Sequence, residues 1–174
     1  TQDFDLGKPM MMEKKIESGM MKKYADLFHC PNGIDCFFDF DEAMDYAKKV
    51  NKPLFVDFTG HACVNCRKME ASVWSQPQVL KRLTENFVLV SLYVDDKTEL
   101  PGSEQYVSKF SGKKIKTIGN KWSDLQSSKY NTNSQPYYII LDHDGQLLTE
   151  PHAFDLNIEN YVMFLDEASM RFKK

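Results

Sequence analysis

Two cysteines separated by two residues, Cys63-Val64-Asn65-Cys66, are where this chain has the clearest means of doing chemistry. A CxxC pair is either half of a zinc site or a dithiol that can store two electrons as a disulfide. The residues before it favour the second. Pro53-Leu54-Phe55-Val56-Asp57-Phe58 reads as a buried strand, and a Thr59-Gly60-His61-Ala62 turn leads into an amphipathic helical pattern that opens at Cys63. A sulfur at a helix start meets unpaired N–H groups and the positive end of the helix dipole, which favour thiolate over thiol. Cys63 is therefore the expected nucleophile and Cys66, one turn on, the expected resolving thiol. A purely structural disulfide is one alternative. A zinc site drawing on Cys30, Cys36, Cys63 and Cys66, with His29 or His61, is the other, although the Cys30–Cys36 spacing suits a zinc knuckle badly.

Asp57 falls inside the apolar strand. An ionised carboxylate is costly there, so its pKa should rise, unless it merely caps the following turn. Strand alternation puts Phe55 and Asp57 on one face. Cys30 and Cys36 flank a Pro31-Asn32-Gly33 turn; they either close a short bridged loop or stay free, and both readings are open. His61 and His29 read as turn or surface residues, and Trp74 and Trp122 as core or groove aromatics.

The elements that must position these groups follow from periodicity and punctuation. Asp39 or Asp41 can cap a helix carrying Ala43, Met44, Ala47 and Val50, with Lys48 and Lys49 at its end and Pro53 as its stop. The helix opened by Cys63 continues through Met69 and Val73. Ser75-Gln76-Pro77-Gln78 looks like a fresh cap, with Ser at the cap position and Gln three residues on. Phe87 to Val94 is the second strong strand. Between Asp95 and Asn133 the pattern is weakest, with a helix expected from Gly119 to Tyr130. Tyr137 to Leu141, an Asp142-His143-Asp144-Gly145 turn and Gln146 to Leu148 read as a hairpin. Asn157 to Phe172 reads as a closing helix. Strand–helix–strand implies a parallel pair through a right-handed crossover, so an α/β fold is expected, its mixed sheet covered by helices on both faces.

Composition sets bounds. The chain has 174 residues, enough for one domain with a tail, and is 42% hydrophobic with a formal net charge of −3. That charge gives no electrostatic case for nucleic acid, and no apolar run approaches the roughly 18–20 residues of a membrane span. Residues 1–35 read as an N-terminal extension or linker, with a helical pattern from Glu13 to Leu27, ahead of a domain at 36–174. The chain begins at Thr1, which fits a mature or excised piece of something longer.

With CxxC at the first crossover, this order resembles the thioredoxin fold. Asp57 matches the buried carboxylate of that family, and Gln135-Pro136 before an apolar strand matches its cis-proline. The stretch Lys52 to Glu70, followed by Val73-Trp74-Ser75-Gln76-Pro77-Gln78-Val79, Tyr93 to Thr98 and Ser134 to Tyr138, resembles the C-terminal domains of DsbD-type transmembrane thiol:disulfide interchange proteins. Ala62 stands where thioredoxins usually carry Trp, and Val64-Asn65 stands where Gly-Pro is common.

The resemblance implies a protein-disulfide reductase that needs no cofactor. Cys63 and Cys66 would be the redox-active pair, and Asp57 the proton acceptor or donor for Cys66. Ala62, Val64, Asn65, Gln135 and Pro136 would line an apolar groove for substrate. Electrons would come from the membrane domain of a parent protein and pass to disulfides of other thiol-redox domains in the periplasm. A free-standing reductase or isomerase and a non-catalytic binding module on the same fold are the rival expectations.

Overall fold

The computed structural model describes residues 22–173. The helical pattern expected from Glu13 lies outside the described residues up to position 21, and residues 23–27 form turns instead of a helix. The segment that follows them is firmly packed: Phe28 and Ile34 belong to the core at 6% exposure each.

Helix α1, Phe40–Val50, starts where Asp39 accepts the N–H of Glu42 at 3.1 Å. Asp41 and Glu42 in its first turn and Lys48 and Lys49 in its last complement the helix dipole. It ends at Asn51 in the left-handed conformation, φ 56°. Strand β1, Leu54–Thr59, is buried along its whole length, as its continuous apolar run requires for a strand covered on both faces. Helix α2, Val64–Met69, follows, then a π-helical turn, Glu70–Trp74.

Helix α3, Pro77–Asn86, corrects the expected cap. Gln76 holds that position with no side-chain cap bond, while the Ser75 hydroxyl donates back to the Ala71 carbonyl at 2.6 Å. The preceding helix runs on to Trp74, so Ser75 is still bonded into it and is not free to cap the next.

Strand β2, Val88–Tyr93, pairs parallel with β1, setting Ser91 opposite Asp57. Strand β5, Tyr137–Leu141, pairs antiparallel on the other side, with Tyr138 opposite Asp57. The sheet order is therefore β2-β1-β5. Phe37 adds a bridge to Val90 on the outer edge of β2. The expected hairpin partner after Gly145 is reduced to isolated bridges, Leu141↔Leu147 and Tyr138↔His152. Pro151 lies between them and has no N–H to give a ladder.

The connection after β2 holds a short hairpin of β3, Tyr106–Val107, and β4, Lys114–Ile115. Helix α4, Ile118–Tyr130, begins with a reciprocal capping box between Thr117 and Asn120. Gly119 presses against the 94–96 backbone so closely that an added Cβ would lie 2.5 Å from the Asp96 carbonyl. Helix α5, Ile158–Phe172, closes the chain.

Alternation along β1 sorts the layers. Phe55 meets Trp74 and Phe164 on one face, whereas Phe58 meets Tyr130 of α4. The first face is closed by a buried hydrogen bond from Trp74 Nε1 to the Tyr161 hydroxyl, 2.9 Å. The chain thus adopts a thioredoxin-like α/β fold with helices on both sides of a mixed sheet.

Candidate functional site

The site grows from the C-terminal end of β1. Its turn is held from across the sheet: the Asp95 carboxylate, just after β2, accepts the N–H groups of His61 and Ala62 at 2.7 and 3.0 Å. Gly60 leaves room for this, since a Cβ there would come within 3.1 Å of that carboxylate. Cys63 is the N-cap of α2, and its sulfur accepts the Cys66 N–H at 3.2 Å. The two cysteines are joined as a disulfide with Cα atoms 5.3 Å apart. Cys63 is half-buried, while Cys66 is 1% exposed. An incoming sulfur therefore meets Cys63 first.

Ala62, Val64 and Asn65 are exposed around it. They line a groove of about 400 Å³ with Cys63, Val94, Asp95 and Gln135. This groove is less apolar than expected, because Asp95 brings a carboxylate to its wall. A larger cavity, about 750 Å³, lies at the opposite end of the sheet among Asn51, Lys52, His143 and Phe172; it touches neither cysteine pair.

Asp57, buried in β1, is within range of the charges of Arg67 in α2 and of Glu70 just after it. Arg67 donates to Thr59 Oγ1 at 2.9 Å and to Glu70 Oε2 at 3.1 Å. Asp57 is 3% exposed and accepts a hydrogen bond from Ser91 Oγ at 3.2 Å. Burial, reinforced by the Glu70 carboxylate, pushes its pKa up to about 8; the Ser91 hydrogen bond and the Arg67 charge oppose the rise. Burial raises Glu70 as well. Asp57 is thus a buried acid that changes charge near neutral pH, not a turn cap.

The peptide between Gln135 and Pro136 is cis. Pro136 itself is buried, and Gln135 supplies the groove wall. Gln135 donates to Gln126 Oε1 at 2.9 Å, and Gln126 donates to the Ser134 carbonyl at 2.9 Å. Gln126, at 0% exposure, pins the loop that carries Pro136.

Cys30 and Cys36 form a second disulfide, Cα atoms 6.0 Å apart, so the sequence's open choice resolves to a bridge. Beside it runs an aromatic stack. The His61 ring lies 4.5 Å from Tyr93 and 5.7 Å from Phe28, and its Nε2 is 3.0 Å from Asp96 Oδ1.

Three residues here escape sequence reasoning. Gln126 leaves a trace, as a polar residue one turn after Trp122 on an apolar stripe. Asp95 and Ser91 leave none, because their roles depend on strand register.

Known proteins share this fold. The model of the thioredoxin-like domain family matches residues 40–152. The solved structure of the DsbH oxidoreductase superposes with a TM-score of 0.58 at 16% identity, covering 83% of this chain and 92% of that one. The C-terminal domain of Neisseria meningitidis DsbD, oxidised form, superposes with a TM-score of 0.52 at 18% identity, covering 77% and 99%. Spermatogenesis-associated protein 20 of Mus musculus is 32% identical over 84 residues, which is 48% of this chain and 10% of that protein. The match therefore spans only about a tenth of that relative's length.

Proposed function

The chain belongs to the thioredoxin-like domain family, and from that premise we propose that it is a thiol:disulfide oxidoreductase acting chiefly as a protein-disulfide reductase. The observation that carries this reading is the asymmetry of one bond: a half-exposed Cys63 at a helix start, joined to a Cys66 that is 1% exposed.

In the reduced state, the Cys63 thiolate attacks one sulfur of a partner disulfide. A mixed disulfide forms and the partner's other sulfur leaves as a thiolate. Cys66 then loses its proton to Asp57 and attacks the Cys63 sulfur. The partner's second sulfur leaves as a thiolate; the partner departs with two electrons, becoming a dithiol with one proton from Asp57 and one from water, and Cys63–Cys66 is left oxidised. Because both electrons reside on sulfur, the residues themselves suffice. Asp57 suits the proton step because its pKa of about 8 lies close to that of a cysteine thiol. Ala62, Val64, Asn65 and Gln135 form the surface on which a partner chain lies, with Pro136 supporting it from beneath.

The partners we propose are disulfides of other thiol-redox domains, and the electron source is a membrane domain of a longer parent protein. The periplasm is the compartment. The resemblance of Lys52 to Glu70 and Ser134 to Tyr138 to DsbD-type C-terminal domains is the ground for all three, and the presence of a second bridge fits an oxidising compartment.

The test is Cys66→Ser. A catalytic domain accumulates a mixed disulfide on Cys63 when offered a disulfide-bonded protein; a non-catalytic binding module stays unmodified. Direction is read from an equilibrium redox titration of Cys63–Cys66. A potential near or below about −220 mV is expected of a reductant, and one between about −120 and −180 mV would reverse the electron flow.

A further inference from the structure

The Cys30–Cys36 bridge and the buried acid meet at one hydroxyl. Cys30 Sγ lies 3.3 Å from Ser91 Oγ, and Ser91 Oγ lies 3.2 Å from Asp57 Oδ2. Ser91 and Asp57 are register partners on neighbouring strands, each 3% exposed, so bulk water does not compete for these bonds. A hydroxyl has one proton to give and two lone pairs to offer. The Cys30 sulfur, held in its bridge, has no proton. The single proton between the bridge and the carboxylate is therefore Ser91's own.

We propose that Ser91 is a positioning residue for proton exchange at Asp57, and that the redox state of Cys30–Cys36 decides how firmly its hydroxyl is committed to that carboxylate. With the bridge closed, Ser91 donates to Asp57 while the carboxylate is ionised. When Asp57 is protonated, its O–H donates to Ser91 Oγ, and Ser91 turns its proton toward the bridge sulfur. A dithiol opens the bridge by passing two electrons and two protons to Cys30 and Cys36 and leaving as its own disulfide. The new Cys30 thiol then donates to Ser91 Oγ. That polarises Ser91 toward the ionised carboxylate and competes with the Asp57 O–H for the oxygen lone pairs. Reduction of the bridge thus favours the ionised form of Asp57.

The other titratable and charged groups facing Asp57 are Glu70 and Arg67 from the helix above, Tyr93 from β2, Tyr138 from β5 and Tyr161 from α5. His29 lies beside Glu70. Among the described residues, the Ser91 side chain bonds only Asp57 and Cys30.

The proposal rests on Asp57 as the proton-exchanging group, but its test needs no exchange reaction. The whole chain is made with Cys63→Ser and Cys66→Ser, so that only Cys30–Cys36 can change redox state. The Asp57 carboxyl is followed by carbon-13 NMR across pH before and after dithiothreitol. Reduction is expected to lower its midpoint by about half to one pH unit, the shift that one modest hydrogen bond produces. Adding Ser91→Ala is expected to raise the midpoint in both states by about one unit and to abolish the response to dithiothreitol. Ser91→Thr, which keeps the hydroxyl, keeps the response.

A midpoint unmoved by reduction overturns the proposal. So does a shift that survives Ser91→Ala, because loosening of the Cys30–Cys36 segment would then be its cause. Disulfide exchange itself is read separately by trapping in Cys66→Ser, so the failure of either reading is told from failure of the other.

Discussion

The chain carries the same covalent bond twice, in unlike settings. Cys63–Cys66 spans the first turn of a helix, with one sulfur half-buried at a groove and the other under the helix. Cys30–Cys36 closes a loop at the sheet edge, where Cys36 is 3% exposed and the next residue, Phe37, is bonded to β2 through Leu89 and Ser91. Reactivity is set by surroundings, not by the bond. The first pair has an approach and a donor N–H aimed at its nucleophile, on a helix whose Arg67 acts on the buried Asp57. The second is a staple, with a side-chain contact to that acid's hydrogen-bond donor.

Cys63→Ser separates the two pairs most strongly. Exchange with a protein disulfide, followed by the appearance of partner thiols, is expected to fall to the uncatalysed background; retention of exchange by this variant would move the chemistry to the other pair.

Asp57→Asn comes next. The folded carboxyl, raised from 3.8 to about 8, keeps a proton that the unfolded chain has already lost between those values. The folded state thus binds more protons, so stability is full below about pH 4 and declines as pH rises through about 8. Asp57→Asn is expected to remove that decline, gaining on the order of a few kcal/mol over the parent at pH 9 and nothing at pH 4. Denaturant midpoints at the two pH values check this, and parallel losses in both proteins would refute it.

The double change Cys30→Ala/Cys36→Ala measures the staple. The bridge closes a loop of sequence separation 6, and loop-closure entropy puts its contribution at about 2 kcal/mol. A clear drop in chemical denaturation midpoint is the expected result; no drop would mean that the core contacts of Phe28 and Ile34 hold the segment unaided.

The smallest effect is expected of Asp95→Ala, which leaves the N–H groups of His61 and Ala62 to water. Loosening that turn should slow exchange about tenfold, the equivalent of one ordinary hydrogen bond. An unchanged rate constant for mixed-disulfide formation would show that Cys63 is seated without it.

Wherever a structure is set by neighbours in the chain, the sequence shows it. The apolar run of β1, the Asp39 cap and the Cys63 helix start all follow from local pattern. The same is true of the buried carboxylate, since Asp57 interrupts a strand with no polar face. The hairpin after β5 is different: its Asp-Gly turn is present, yet the returning chain pairs only at isolated bridges, and Pro151 has no N–H with which to join them into a ladder. Ser75 misleads in a related way, because its hydroxyl is used by the preceding turn. Ser91 and Asp95 are illegible for a stronger reason. Each acts on a residue more than thirty positions earlier, and only the parallel register of β1 and β2 joins them.

The ring stack of Phe28, His61 and Tyr93 fixes where the chain enters the domain. Phe28 is seated against the turn that precedes Cys63, whereas Phe172 lies with Asn51, Lys52 and Pro53 around the cavity at the other end of β1. A six-residue strand separates those ends by roughly 20 Å. A leash attached ahead of residue 22 leaves from Lys22, which pairs with Asp35 and lies over Phe37 at the outer edge of β2, and one attached after residue 173 leaves from the end of β1 away from the reactive sulfur; both keep clear of the groove beside Cys63.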